Sequence, residues 1–507
     1  MINSAKSADA HPVREPVRIA RFGPHQRQIA LHTLLSLLSA VMLVLLFPRW
    51  NLQWLAPVAL SPMLIVMAKT PSGWQRFTYG WAAGIFYWFF VCTWIQFVLE
   101  AHGGMGRWGG WASFLLFSIL KGLHLGVFAC LGGPLMRRPY AIAAVAALWT
   151  GLERTHSTLG FTWLDLGNAA INMSVPLRIA PFIGVYGTSF VLCTMAVAIA
   201  CLVLRRPRIF LLPLLGLAVL WLFPPIRSGV PARDRALIVQ PNVDTELQWT
   251  SLLQFSTDKR LTLLSNAIPA PLVIWPELPA PLYFYNDTQF HDDAVSIARQ
   301  HGAFLFGTVA YTPANQPLNS AVMLDAQGGE SGRYDKIDLV PFGEFVPPLF
   351  GWVNRITTET SDFVPGHDIK VMRAAGHRFG VFICYESAFP DLVRQFANKG
   401  ADVLVNLSND GYFDHTEARE QHLLIARMRA IENRRFLIRA TNDGITAVID
   451  PAGRIANRLP SFTQVAAIIR YGGVIEPTFY ARHGDWFAWS CLVIGVGLAL
   501  FNFRAEV

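Results

Sequence analysis

Two textures alternate along the chain. Long apolar runs occupy residues 29–223 and return at 486–503, while the stretch between them breaks into short apolar runs separated by polar segments. A helix that crosses a bilayer needs about 20 mostly apolar residues. Eight stretches meet or approach that length: Ile29–Phe47, Leu52–Met67, Phe77–Leu99, Trp111–Leu131, Tyr140–Leu152, Leu177–Leu204, Ile209–Phe223 and Trp486–Phe503. The fifth is short and needs extension or a tilt. From Arg235 the pattern predicts strands at Ala236–Val239, Leu272–Trp275, Ala303–Thr308, Ser320–Leu324, Arg378–Ile383, Val403–Leu407, Phe436–Ala440, Thr446–Asp450 and Ala466–Ile469. Helical spacing predicts Leu247–Ile268, Asp292–His301 and Glu417–Asn433. Strands alternating with helices predict an α/β domain with reactive residues at strand ends. The expected division is a cytosolic tail (1–28), seven transmembrane helices (29–224), an α/β domain (225–483), and an eighth span with a short tail (484–507).

Composition sharpens this picture. Of 507 residues, 53% are hydrophobic and 15% charged, against about 25% charged in a soluble protein. The net charge of +8 does not point to nucleic acid, because the basic residues are spread over the tail and short loops. One set of flanks holds Lys6, Arg14, Arg18, Arg21, Arg27, Lys69, Arg76, Arg137, Arg138, Arg205, Arg206, Arg208 and Arg504; the opposite set holds only Arg49, Arg107, Arg154 and Arg178. Positive flanks face the cytoplasm, so both termini are expected there and residues 225–482 on the far side. The polar start, without a short apolar core and small-residue cleavage site, is expected to stay as a tail and not to be removed. Two intramembrane features stand out. Lys121 and His124 share a helical face, and ionisable groups at that depth face a cavity or a partner such as Glu153 or a loop. The aromatic loop Gly160–Leu164 is expected at the membrane interface, where it holds headgroups or anchors helix ends.

Candidate chemistry lies in the polar segment. Five of the six cysteines sit in apolar runs; Cys384 alone ends a polar-domain strand, Val381–Ile383. A thiol attacks a carbonyl well only as thiolate and so needs a base or a cation nearby. Glu277 follows the strand Val273-Ile274-Trp275, and Lys336 lies in Tyr334-Asp335-Lys336-Ile337-Asp338. A carboxylate can take the thiol proton and an ammonium can hold a tetrahedral oxyanion. Cys, Lys and Glu are thus a sufficient set for acyl transfer.

The contexts are more specific than the residues. Trp275-Pro276-Glu277, Lys336 ahead of Pro341-Phe342-Gly343-Glu344, and Cys384-Tyr385-Glu386 resemble, in order, the three signature neighbourhoods of the nitrilase superfamily. Gln240-Pro241-Asn242, Asn406-Leu407-Ser408-Asn409-Asp410, Gln421-His422 and Thr441-Asn442-Asp443-Gly444, with eight spans and a domain inserted before the last, are similar to that superfamily's membrane-embedded N-acyltransferase branch. The similarity covers residues 30–503.

The resemblance implies an eight-span α-helical bundle carrying an αββα sandwich. It implies Glu277 as general base, Lys336 as oxyanion-stabilising residue and Cys384 as nucleophile. Glu344 and Glu386 would support them, and Trp249 and Tyr385 would line the substrate pocket. It implies no metal and no cofactor. The donor would be a phospholipid, with phosphatidylethanolamine expected. The acceptor would be the α-amino group of a diacylglyceryl-cysteine on lipoproteins, and the domain would face the periplasm from the inner membrane. A lid should keep water from a thioester, and Pro281–Phe284 is a candidate. The chain departs from the branch at Gly411-Tyr412-Phe413-Asp414, where Ala-Trp-Phe-Gly is usual, and at Thr162, where proline is usual. Two other readings share parts of the sequence: a membrane-anchored amidase, and a transporter or lipid-binding protein whose domain only recognises a ligand.

Overall fold

A computed structural model describes residues 23–244, 247–341, 343–345 and 363–504. Most of the expected cytosolic tail, and Phe342 of the Lys336 neighbourhood, lie outside the described residues. The apolar part contains α1 (Pro24–Leu45), α2 (Ser61–Lys69), α3 (Gly73–Val91), α4 (Trp94–Ala101), α5 (Gly106–Leu135), α6 (Ala141–Thr158) and α7 (Ala180–Val203). A 3₁₀ run, Arg208–Leu222, closes it.

Among the described residues, four helical segments are long and apolar enough to cross a membrane: α1, α5, Pro176–Val203 and the last helix, Trp486–Arg504. A fifth arises if α3 and α4, bent by 60° at their break, count as one span. This is fewer than the eight stretches of the sequence pattern, and the reasons are local. The second stretch folds mostly as turns before the nine-residue α2. The fifth, α6, carries Glu153 and Arg154 within its 18 residues. The seventh is 3₁₀ and 15 residues long. Pro176–Val203 is the centre of the bundle, with 78% of its apolar window buried.

Helices α3 and α5 approach closely through glycines, as small residues permit when no hydrophobic drive brings helices together in lipid. A Cβ at Gly84 would meet Gly122 O at 2.6 Å and Gly122 Cα at 2.8 Å.

The polar part is a four-layer sandwich. It runs β1 (Asp234–Gln240), α8 (Ser251–Asn266), β2 (Val273–Ile274), α9 (Thr288–His301), β3 (Ala303–Tyr311), β4 (Pro317–Asp325) and β5 (Glu330–Asp335). It continues with β6 (Val371–Ala374), β7 (His377–Ile383), α10 (Pro390–Asn398), β8 (Val403–Ser408), α11 (Ala418–Asn433), β9 (Phe436–Thr441), β10 (Ala447–Ile449), β11 (Ile455–Arg458) and β12 (Val465–Tyr471). Helices α12 (Phe479–His483) and α13 (Trp486–Arg504) end it. One six-stranded sheet has the order β12-β1-β2-β3-β4-β5 and the other β11-β10-β9-β8-β7-β6. In each, three central strands are parallel: β1, β2 and β3, and β7, β8 and β9. Side chains alternate across a strand. Ala236 and Ile238 therefore join the core between the sheets, while Leu237 and Val239 pack outward under α8 and α9. Helices α10 and α11 cover the other sheet and contact α12 and α7, so that layer joins the sandwich to the bundle.

We predict that Gly84→Val lowers the thermal unfolding midpoint of the detergent-solubilised enzyme, with a cost of about 1–3 kcal/mol for overpacking. Gly216→Val, where a Cβ meets nothing within 4 Å, should leave the midpoint unchanged.

Candidate active site

Strand ends of both sheets converge on one buried cluster. Glu277 leaves β2 through Trp275-Pro276, and Gly307 on β3 lets that turn lie flat against the strand. A Cβ at Gly307 would meet Leu278 N at 2.7 Å and Glu277 Cα at 2.8 Å. Lys336 follows β5, Cys384 follows β7, and Asn409 follows β8. Lys336 is 1% exposed. Its ammonium lies 3.3 Å from Glu277 Oε1 and 2.9 Å from Glu344. Asn319, on β4, donates from Nδ2 to Glu277 Oε1 (2.8 Å) and to Glu344 Oε1 (2.7 Å), tying the two carboxylates together. The Asn409 N–H donates to Glu277 Oε2 (2.9 Å), and the Val340 N–H to Glu344 Oε2 (2.8 Å). Burial works against charge on Lys336, but Glu277, Glu344 and Cys384 outweigh it and raise its pKa well above the ordinary lysine value.

Cys384 takes φ +49°, a left-handed backbone that costs a non-glycine residue about 1–3 kcal/mol where its surroundings enforce it. Burial, then the Glu277 carboxylate, raise the thiol pKa far above its ordinary value, and Lys336 offsets only part of this. The resting sulfur therefore keeps its proton. The Ser408 hydroxyl lies within hydrogen-bonding reach of the thiol.

Beneath Cys384 a second network fixes the backbone. His422 Nε2 donates to Cys384 O (3.0 Å), and Asn406 Nδ2 donates to the same oxygen (3.3 Å). Burial and the Arg439 charge push the His422 pKa down, so its Nδ1 accepts from Arg439 Nη2 at 2.9 Å. Arg439 also pairs with Asp410 at 2.7 Å. Against the cost of burial, that guanidinium holds the Asp410 carboxyl far below the usual carboxylate range. Among the described residues, no arginine forms an ion pair with Glu386. Its Oε1 accepts from the Tyr334 hydroxyl (2.7 Å) and the Ile337 N–H (2.7 Å), and its Oε2 from the Ile383 N–H (2.7 Å). Burial pushes its pKa up to about 7, although those donors and Lys336 pull the other way. It staples the segment after Lys336 to the strand that ends in Cys384.

The structure thus brings Glu277, Lys336, Glu344 and Cys384 together, with Glu386 directly behind them. Tyr385 is buried beside Cys384 and its hydroxyl is engaged: it accepts from the Thr162 N–H (3.1 Å) and donates to Thr162 O (3.0 Å). A proline at 162 could supply no such N–H. The Gly160–Leu164 loop is therefore not a free interfacial anchor, since Thr162 and Trp163 are 1% and 2% exposed beneath the sandwich. Trp249 is half-buried against the outer cluster, not the inner one that contains Cys384. Pro281–Phe284 is a poor lid: Leu282 and Phe284 are buried, and Thr308 Oγ1 bonds to both of their backbones.

Sequence reasoning missed Asn319, Ser408 and the position of Tyr412. The first had a signal, since an asparagine inside the apolar strand Pro317–Asp325 needs a buried partner. Tyr412 shares its electrostatic surroundings with Glu277, Glu344 and Cys384, yet it is 46% exposed. Among the described residues, no group of three or more His, Cys, Asp or Glu side chains is arranged to hold a metal ion.

Residues 238–470 match the carbon-nitrogen hydrolase family. The sandwich is that of a nitrilase-type enzyme, here joined to apolar helices of membrane-spanning length. Residues 39–198 match the apolipoprotein N-acyltransferase N-terminal domain. The chain is 31% identical to an apolipoprotein N-acyltransferase of Geobacter metallireducens, covering 93% of this chain and 95% of that one. It is 32% identical to those of Methylococcus capsulatus (89% and 92% covered) and Azotobacter vinelandii (93% and 95%). The chain belongs to the apolipoprotein N-acyltransferase family.

Glu386→Gln turns one accepting oxygen into an amide facing a buried donor. We expect a loss of stability of about 1–3 kcal/mol, read as a lower midpoint in thermal unfolding of the full-length enzyme.

Proposed function

We propose that this enzyme moves a fatty acyl group from a membrane phospholipid to the α-amino group of the diacylglyceryl-cysteine that begins a lipoprotein, through a thioester on Cys384. The observation that carries this reading is the buried Cys384, Lys336 and Glu277 cluster at the strand ends of a sandwich seated on apolar helices, in a chain of this family.

In the first half-reaction Glu277 takes the thiol proton as sulfur attacks the ester carbonyl. The S–C bond forms, the ester C–O bond breaks, and the proton passes from Glu277 to the departing lysophospholipid oxygen. In the second, the amine attacks the thioester and gives a proton to Glu277. The N–C bond forms, the C–S bond breaks, and the proton returns to sulfur. Lys336 stabilises the oxyanion of both tetrahedral intermediates. The elevated thiol pKa fits a thiolate made only as substrate reacts. Glu344 holds Lys336 in place, Glu386 braces the nucleophile, and Tyr385 shapes the pocket beside it.

Phosphatidylethanolamine is the proposed donor. Both substrates are lipid-anchored, so lateral diffusion delivers them and the bound geometry replaces a bimolecular encounter. In the proposed topology all eight apolar stretches cross the inner membrane, both termini are cytoplasmic, and residues 225–483 face the periplasm. The 15-residue run Arg208–Leu222 supports a seventh crossing, because a 3₁₀ helix rises about 2.0 Å per residue and so reaches about the 30 Å of a hydrocarbon core.

Incubation with acyl-labelled phosphatidylethanolamine should leave a hydroxylamine-labile adduct on the wild type and none on Cys384→Ala. Lys336→Ala should form it more slowly by about 10²–10³. A diacylated peptide, and not water, should discharge it; discharge by water alone would sink the transfer reading.

A further inference from the structure

The bundle contains ionisable side chains that the reaction does not use. Lys121, on α5, is 9% exposed. Its Nζ donates to Phe161 O at 2.9 Å and sits 4.9 Å from the centre of the Trp88 ring. Glu153, on α6, is 6% exposed, and its Oε1 accepts from the Leu166 N–H at 2.7 Å. These two contacts grip opposite ends of one loop, 161–166. His124, on the same face as Lys121, goes elsewhere: its Nε2 meets Thr155 Oγ1 at 3.2 Å.

The gripped loop is the one that holds Tyr385. Thr162 makes both hydrogen bonds to the Tyr385 hydroxyl. The Phe161 and Trp163 rings stack on the Tyr385 ring at 6.0 and 6.2 Å. Tyr385 is the residue after Cys384, whose left-handed backbone persists only where its surroundings over-determine it. On the other side His422 holds Cys384 O. The strained nucleophile is therefore fixed from two directions, one inside the sandwich and one out of the bundle.

We propose that Lys121 and Glu153 are positioning residues for the nucleophile, acting through loop 161–166 and Tyr385 to hold Cys384 in its attacking conformation. This rests on Cys384 being the acylated residue. Neither side chain touches the reacting atoms. Each of these two buried ionisable side chains satisfies a backbone group of loop 161–166. The bundle then does more than anchor the sandwich, since it completes the support of the active thiol.

The test uses the full-length enzyme in phosphatidylethanolamine-containing liposomes and reads the rate of hydroxylamine-labile adduct formation. Lys121→Met and Glu153→Ala should each slow acylation by about 10²-fold, the size expected for a misplacement of about 1 Å, with KM for the phospholipid unchanged. Lys121→Arg and Glu153→Gln, which keep a donor and an acceptor, should restore most of the rate. Tyr385→Phe should reproduce the defect, and Lys121→Met/Tyr385→Phe should be no slower than Tyr385→Phe alone, because residues in one relay are not additive. Wild-type rates in Lys121→Met, or defects that multiply in the double variant, would overturn the proposal. If Lys121→Met does not accumulate, Tyr385→Phe decides alone: it leaves the spans untouched, and a wild-type rate in it overturns the relay. A wild type that forms no adduct refutes the reaction itself, whereas an adduct formed equally by wild type and Lys121→Met refutes only the relay.

Discussion

An ammonium ion taken out of water stays charged only in the company of a carboxylate, and Lys336 has two. Burial of a lone lysine would cost several kcal/mol and would drive off its proton. With Glu277 at 3.3 Å and Glu344 at 2.9 Å, the pKa of Lys336 is raised and its charge is retained. The same burial disfavours a charged sulfur: it is the largest cause that raises the Cys384 pKa, and the Glu277 carboxylate adds to it. In the proposed reaction the new charge moves onto an oxyanion beside Lys336, so a site that disfavours the resting thiolate would favour the tetrahedral intermediate, as differential stabilisation requires.

This electrostatic set sits at a geometric one. Glu277, Lys336, Cys384 and Asn409 leave four different strands, two in each sheet. Nothing in a single sheet could present them to one another. The two sheets must face each other in fixed register, and polar contacts through Glu277 and Glu386 do part of that work. The Asn409 N–H after β8 donates to Glu277 after β2, and Glu386 joins the end of β7 to the segment after β5. The layer of α10 and α11 then carries the site onto the bundle. Glu432 on α11 accepts from the Val185 N–H at 2.7 Å, beside a kink where Gly184 has φ +70°. Gln421 accepts from the indole N–H groups of both Trp94 and Trp163. Polar contacts of this kind carry direction that apolar packing lacks, so the sandwich is seated in one orientation.

What could be read in advance follows from burial. Glu277 and Cys384 lie at the ends of central strands that are apolar on both faces, so continuous apolar runs mark them. The edge strands β5, β6 and β11 escaped because each has one neighbour and partly exposed residues, such as Glu330-Ser331-Gly332-Arg333. Hydropathy reads apolar residues but not breaks: eight apolar stretches stand against four helices of spanning length among the described residues, because α3 and α4 part at a 60° bend and the run after α7 winds as 3₁₀. The resemblance puts Trp249 at a substrate pocket, and the aromatic run Pro281–Phe284 reads as a lid candidate. In the fold they belong to the outer cluster beneath α8 and α9, a partition that depends on strand register.

The position of Tyr385 shows how much a motif leaves unsaid about a side chain. It follows Cys384 in the chain, and its ring lies in the inner core. Yet both hydrogen-bonding capacities of its hydroxyl are taken by the backbone of Thr162, leaving none for a substrate that does not displace the loop. Thr162 offers an N–H that a proline could not supply, and the chain uses it. The seam between bundle and sandwich thus holds the residue beside Cys384, while Lys336, Glu277 and Glu344 are held by contacts within the sandwich.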